Sequence, residues 1–240
     1  TVFLTRTLPN TSSSLHYVAL VLKTLIIQPF GTQFFPSLCS PILSSMKFSV
    51  SEATDLIRQR RTIYPKDHTD REVHKEIIER VLTNGTYAPT HGMTQPWRFT
   101  VFTGEGRRTL STFLGEEYSR TVPTEKFLQR KFDNVTLRPM QSSVVIALGM
   151  VRDPNGKISE RDELLAMGCA VQNMHLTCAS YGLGAFWATG GPLIGDGMCN
   201  FLGLGEQDSS LGLFFIGYPA IEWPKGYRKP IDQLVTWKTT

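Results

Sequence analysis

The sequence predicts an α+β fold, in which helices form a sandwich around a central sheet. Apolar residues recur at helical spacing behind two capping-box motifs, Ser49-x-x-Glu52 and Thr69-x-x-Glu72. Short apolar or alternating runs, which are typical of strands, separate the helical segments. The chain has 240 residues, of which 41% are hydrophobic, so it can bury a sizeable core, and we expect one main domain.

Five helices are predicted, over residues 49–60, 69–85, 104–120, 159–181 and 192–202. The longest is apolar nearly all round between Leu164 and Val171, which indicates burial on more than one face. We therefore expect its small residues Ala166, Gly168 and Ala170 to pack against a second subunit.

Four strands are predicted, over residues 99–102, 144–151, 183–189 and 211–218. The run from Val144 to Val151 is almost continuously apolar and suits a buried central strand. By contrast, segment 121–140 is polar and weakly patterned.

Residues 1–45 differ in composition from the rest, so we divide the chain into an extension, 1–45, and a domain, 46–240. The extension has no Asp or Glu, and Arg6 and Lys23 are its only Arg and Lys residues. It resembles an organellar transit peptide. Alternatively, Met46 is the true start and the upstream segment is mis-assigned or disordered. The expected location is cytoplasmic, or organellar if the segment is a transit peptide.

Composition argues against several classes of partner. The net charge is +4, but the basic residues are scattered among acids and no recognition motif accompanies them, so nucleic-acid binding is not expected. The apolar run from Tyr17 to Ile27 is too short to cross a bilayer, so no membrane association is predicted. The four cysteines form no Cys-x-x-Cys pair, which argues against a zinc site or a disulfide framework.

Common hydrolase and nucleotide-binding motifs are absent, including Walker A, G-x-S-x-G and His-Glu-x-x-His. His175 and Cys178 lie three residues apart on one predicted helix, and such a pair could form an activated thiolate. Their neighbours are apolar, however, so core positions are the preferred interpretation.

Two other segments are candidate binding sites. The Arg60-Arg61-Thr62 triplet follows a helix, where guanidinium groups could bind phosphate or could simply complement the helix dipole. The loop from Ala88 to Trp97 presents His91 and Gln95 beside prolines and a glycine. It is either a binding loop or a structural turn with one buried tryptophan.

Taken together, these segments resemble the FMN-dependent nitroreductase family, and the resemblance runs from about Ser49 to Trp237. The matching motifs are Arg60-Arg61-Thr62, Ala88-Pro89, Gln95-Pro96-Trp97-Arg98-Phe99 and Gly182-Leu183-Gly184-Ala185-Phe186-Trp187. His91, the turn from Gly104 to Arg107 and the segment from Gly168 to Val171 resemble the compact bacterial subgroup.

The resemblance implies a mostly antiparallel sheet and a homodimer that holds FMN at its interface. The flavin would take hydride from NADH or NADPH and reduce a nitroaromatic, a quinone or a similar small acceptor by a ping-pong mechanism. No protein residue would be catalytic and no metal would be required. Two alternatives are a flavin-holding redox sensor or carrier with little turnover, and reductive dehalogenation on the same fold.

By position, the resemblance assigns these residues to the cofactor: Arg60, Arg61, Thr62, Tyr87, His91, Gln95, Trp187, Ala188, Thr189 and Arg228. Arg60, Arg61 and Arg228 would contact the ribityl chain and the phosphate. Trp187, Ala188 and Thr189 would approach the flavin from the partner chain. One departure is Met93, which stands where many members have an asparagine that can hydrogen-bond the flavin.

Overall fold

The computed structural model describes residues 48–239, which fold into six α-helices and four strands. The helices are α1 (Val50–Gln59), α2 (Lys75–Thr86), α3 (Glu105–Thr121), α4 (Gln129–Met140), α5 (Glu160–Ser180) and α6 (Asp196–Phe201). The strands are β1 (Trp97–Phe102), β2 (Val144–Met150), β3 (Gly184–Ala188) and β4 (Ser209–Gly217). The predicted extension, 1–45, lies outside the described residues.

The four strands form one antiparallel sheet in the order β1-β2-β4-β3. Every residue of β2 is buried, as its continuous apolar sequence predicts. The predicted strands are therefore confirmed, and β2 and β4 form the centre of the sheet.

Helices cover both faces of this sheet. Side chains alternate along each strand, so Ile146 and Phe214 face one core while Val145 and Phe215 face the other. The first core is completed by residues of α2 and α5, and the second by residues of α3 and α6. This arrangement confirms the predicted α+β sandwich.

The first helix begins as predicted, but the second does not. Ser49 caps α1, because its hydroxyl accepts a hydrogen bond from the Glu52 amide at 3.3 Å. The capping box predicted at Thr69 is wrong. The Thr69 amide instead donates to the Tyr218 carbonyl at 2.7 Å, and α2 begins only at Lys75. Thr69 and Val73 are thus held by residues that flank the central strands, since the Val73 amide donates to the Ser143 hydroxyl at 2.7 Å.

The weakly patterned segment contains α4, which the sequence pattern did not predict. This helix packs on α3, where Thr136 and Phe132 approach Gly115 closely. The apolar stripe that α4 turns inward is narrow, with Phe132, Val135 and Pro139, while Leu137 and Met140 are exposed. That stripe is too narrow to be recognised without knowing its neighbour.

The longest helix matches its predicted range, with Ser159 as the N-cap. Ala166 and Ala170 are buried within their own chain, which corrects the expectation that they meet a second subunit. Gly168 has open space where a Cβ would lie, and Leu164 and Leu165 beside it are 47% and 60% exposed. The outward face of α5 is therefore apolar.

Within residues 48–239, none of the helices combines the length and apolar character that crossing a bilayer requires. The same part of the chain contains no group of three or more His, Cys, Asp or Glu side chains placed to hold a metal ion.

Candidate functional site

The arginine triplet lies beside β3 of its own chain. Thr62 forms a parallel bridge with Ala185, and the Ile63 amide donates to the Ala185 carbonyl at 3.1 Å. Gly184 permits this contact, since a Cβ at that position would lie 2.6 Å from the Ile63 Cβ. The strand β3, which carries Trp187, thus lies beside the triplet of its own chain.

Arg61 binds the backbone. Its Nε donates to the Pro224 carbonyl at 2.8 Å, and its Nη1 donates to the carbonyls of Arg58 and Arg60 at 2.6 and 2.8 Å. A Cβ at Gly226 would lie 2.5 Å from the Arg61 Cζ, so only glycine permits this approach. Arg61 therefore holds the 224–228 segment against the end of α1.

Arg60 has the opposite character. Its Nε is buried and has no hydrogen-bond partner among residues 48–239. Burial and then the charges of Arg228 and Arg61 lower the pKa of Arg60. In the described part of the chain, none of these three arginines forms an ion pair with a carboxylate. Three uncompensated cations at one place suit a bound anion such as a phosphate.

His175 lies close enough to Arg60 for the arginine charge to act on it. Burial, and then this charge, lower the pKa of His175 to about 4, so the imidazole is neutral at pH 7. Its ring packs edge-on against Phe214 with centroids 4.7 Å apart. Burial raises the pKa of the Cys178 thiol, which keeps it protonated. The core interpretation of this pair is confirmed.

The end of β3 borders a cavity of about 740 Å³. The Trp187 Nε1 donates to the Leu211 carbonyl at 2.7 Å, which fixes the half-buried indole against β4. Ala188 is buried and Thr189 is exposed. All three predicted residues line the cavity, together with residues of α3 and α4.

Tyr87, His91 and Gln95 lie elsewhere in the chain. Tyr87 ends α2 and is 82% exposed. His91 Nδ1 lies 3.0 Å from Asp162 Oδ2, in the first turn of α5. His175 is near the other end of that helix, so about 20 Å separates His91 from His175, at 1.5 Å per residue. One chain therefore does not bring His91 to Arg60. Tyr87 is nearer to the His175 end, since Asn84, one turn before it, donates to the Thr177 hydroxyl at 3.0 Å.

The loop that carries His91 and Gln95 is anchored and strained. Trp97 is buried, as expected of a structural turn. Met93 and Gln95 adopt φ values of 57° and 45°, a left-handed region that side chains other than glycine rarely enter. Strain of this kind clusters at binding sites. The buried tryptophan agrees with the structural interpretation, and the binding role of the loop stays a prediction.

The structure adds Lys131 and Arg138, which the motifs did not indicate. Both lie on α4 and line the cavity, two helical turns apart. Their signal in the sequence was the spacing of 131, 134, 135 and 138, which places all four residues on one helix face.

Comparisons with known proteins agree on the family. The model of the nitroreductase family matches residues 57–218. YdjA of Escherichia coli strain K12, provisionally named an NAD(P)H nitroreductase, is 26% identical over 147 residues, which cover 61% of this chain and 78% of YdjA.

Two solved structures show the same fold. A nitroreductase-like family protein from Bacillus cereus gives a TM-score of 0.67 at 26% identity, covering 82% of this chain and 100% of that one. NfnB from Sphigopyxis sp. strain HMH is described as an FMN and NADPH-dependent nitroreductase. It gives a TM-score of 0.62 at 19% identity, covering 78% of this chain and 99% of NfnB. With this fold and this family match, the chain belongs to the nitroreductase family of oxidoreductase enzymes.

Proposed function

We propose that the protein binds FMN and transfers reducing equivalents from NAD(P)H to a small nitroaromatic or quinone acceptor. The observation that carries this proposal is the Arg60 cluster, in which a buried Nε lacks a partner and Arg228 adds a second free cation. A phosphate would relieve both the repulsion and the unpaired donor. The name of NfnB, which includes FMN and NADPH, supports the same assignment.

The chain would divide the cofactor among separate elements. Arg60 and Arg228 would hold the phosphate, and the Thr62 hydroxyl beside them would contact the same end of the molecule. Arg61 would act through the backbone, because its donors fix the segment that carries Arg228. Trp187, Ala188 and Thr189 would border the ring at the end of β3.

A second copy of the chain would complete the site. Tyr87, His91 and Gln95 are exposed, and His91 lies about 20 Å from the His175 end of α5, at 1.5 Å per residue. The outward face of α5 is apolar, as an interface requires. In a homodimer, these residues of one chain would approach the Arg60 cluster of the other.

The chemistry that FMN supplies when bound is the transfer of two electrons, received as hydride from NAD(P)H, to the acceptor. The chain binds and orients both small molecules at the cavity beside β3. Because one cavity would serve both in turn, we expect ping-pong kinetics with parallel double-reciprocal lines. NADPH oxidation with nitrofurazone or menadione measures this pattern.

Replacing Arg60 tests the phosphate assignment. We expect Arg60→Met to weaken FMN binding at least about tenfold, the usual effect of losing one charge-assisted contact. Riboflavin lacks the phosphate, so its affinity should be nearly the same for wild type and variant. Fluorescence titration of the flavin-free protein measures both affinities.

Arg58→Ala provides the matched control, since this arginine is exposed in the last turn of the same helix. It should retain the FMN affinity of the wild type. Equal FMN affinities for wild type and Arg60→Met would contradict the phosphate assignment. Failure of the wild-type protein to take up any flavin would contradict the proposed function itself.

A further inference from the structure

The charged side chains that line the cavity beside β3 are all positive in the described part of the chain. Among residues 48–239, its lining includes Lys126, Lys131 and Arg138 and contains no Asp or Glu. The walls are otherwise mainly apolar or aromatic, with Phe186 and Trp187 on the β3 side. A cavity of this kind suits a planar molecule that carries a negative charge.

Arg138 is the best-placed of these cations. Its side chain is half-buried, and burial lowers the pKa of its guanidinium. Among residues 48–239 it forms no hydrogen bond or ion pair through its side chain. Its Cζ lies 5.4 Å from the centroid of the Phe186 ring, and that ring packs on Tyr64 with centroids 4.7 Å apart. The guanidinium is thus fixed over an aromatic surface with its donors unused.

The face of α4 extends this arrangement. Lys131, Asn134, Val135 and Arg138 line the cavity at spacings of three and four residues, so they belong to one face of the helix. Lys131 and Arg138 are about 10 Å apart along the axis, at 1.5 Å per residue. An aromatic molecule between α4 and β3 can therefore contact one cation with its anionic substituent and Phe186 or Trp187 with its ring.

We propose that this cavity selects aromatic acceptors that carry a carboxylate, and that Arg138 is the specificity-determining residue. The proposal rests on the proposed function, because the cavity shares Trp187, Ala188 and Thr189 with the proposed flavin site. Arg138 binds the carboxylate through its planar donors, and the ring of the acceptor lies toward the end of β3.

The other anions in the reaction are the phosphates of FMN and of NAD(P)H. If Arg138 bound the FMN phosphate, replacing it would release the flavin. If it bound the nucleotide, replacing it would slow the reduction of the flavin by NADPH. The experiment therefore measures each step separately.

The test compares 4-nitrobenzoate with its neutral analogue 4-nitrobenzamide in the holoenzyme. Arg138→Met should lower the ratio of their kcat/KM values about tenfold, as expected for losing one charge-assisted contact. Arg130→Met, on the same helix but outside this cavity, should leave the ratio unchanged. Calorimetric titration gives a second readout, because benzoate should bind more weakly to Arg138→Met while weak benzamide binding stays the same.

An unchanged ratio, or equal binding of benzoate to wild type and Arg138→Met, overturns the proposal. Loss of FMN from Arg138→Met, or a tenfold fall in the anaerobic rate of flavin reduction by NADPH, overturns it in favour of a phosphate contact. If the wild-type protein binds no flavin, the proposed function fails, and benzoate titration still decides whether the cavity binds carboxylates.

Discussion

Arg60 and Arg61 are adjacent in the chain and chemically identical, yet their hydrogen bonds give them different roles. Backbone carbonyls accept three hydrogen bonds from the Arg61 guanidinium. These hydrogen bonds position the 224–228 segment. Arg60 feels the charge of Arg228, and its buried Nε has no hydrogen-bond partner in the described part of the chain. The family motif treats the two as one unit, whereas the structure indicates one ligand-binding residue and one positioning residue.

Gly226→Ala tests the positioning role. The added methyl would lie 2.5 Å from the Arg61 Cζ, so either the guanidinium or the 224–228 segment must shift. If the Arg61 guanidinium moves instead, it loses its hydrogen bonds to this segment, so either shift loosens Arg228. We expect weaker FMN binding and a loss of about 1 kcal/mol in unfolding free energy, the typical cost of a local clash. FMN titration and urea unfolding measure the two effects.

Gly106→Ala is the control for this substitution. A Cβ at Gly106 would meet Phe102 at an ordinary 3.8 Å, so neither FMN affinity nor stability should fall. An FMN affinity of Gly226→Ala equal to that of the wild type would show that the segment does not position Arg228.

Two helices show how far a local pattern defines an element. The boundaries of α5 follow from its N-cap and its long apolar run, and both were predicted. The sequence did not predict what each face of α5 contacts. Ala166 and Ala170 turn inward, while Leu165 and Gly168 turn outward. The inward faces meet the sheet, and the outward face remains apolar and exposed.

Leu165→Glu tests whether that outward face of α5 forms the dimer interface. A buried, unpaired carboxylate at an apolar interface is strongly unfavourable, so we expect the variant to be monomeric and to lose FMN. Size-exclusion chromatography with light scattering measures the mass. Leu137→Glu, at a 53% exposed leucine on α4, should leave the mass unchanged. A dimeric Leu165→Glu protein would place the interface elsewhere.

At the scale of the whole molecule, the buried His175 and the half-buried His68 make the stability of the fold depend on pH. His68 Nδ1 lies 3.1 Å from the Ser142 hydroxyl, just before β2 begins, and burial is the main cause that lowers the pKa of His68 to about 4. Burial, and then the positive charge of Arg60, lower the pKa of His175 to about 4 as well. Both side chains must stay neutral in the folded protein.

This requirement predicts a loss of stability in acid. Unfolded histidines have a pKa near 6.5, so below that pH the unfolded chain binds protons that the folded chain does not. The unfolding free energy should be constant above about pH 7 and fall between about pH 6.5 and 4, by on the order of 2 kcal/mol per histidine. Urea unfolding across this range measures the fall.

His175→Gln removes one titrating group and so tests whether His175 causes part of the acid sensitivity. Its stability should depend less steeply on pH than that of the wild type. His74→Gln changes an exposed histidine and should keep the wild-type slope. A pH profile of His175→Gln that is as steep as the wild type would exclude His175 as a source of the acid sensitivity.

The sequence by itself determined α1, α5, the four strands and the family, because periodicity, capping and short motifs act over a few residues. It did not reveal where α2 begins, that α4 exists, or that Arg60 and Arg61 differ. The tertiary structure decided these points. The Thr69 amide binds Tyr218, α4 exists by packing on α3, and Arg61 binds Pro224 at a separation of 163 residues. Such contacts leave no local pattern, since each depends on segments that meet only after folding.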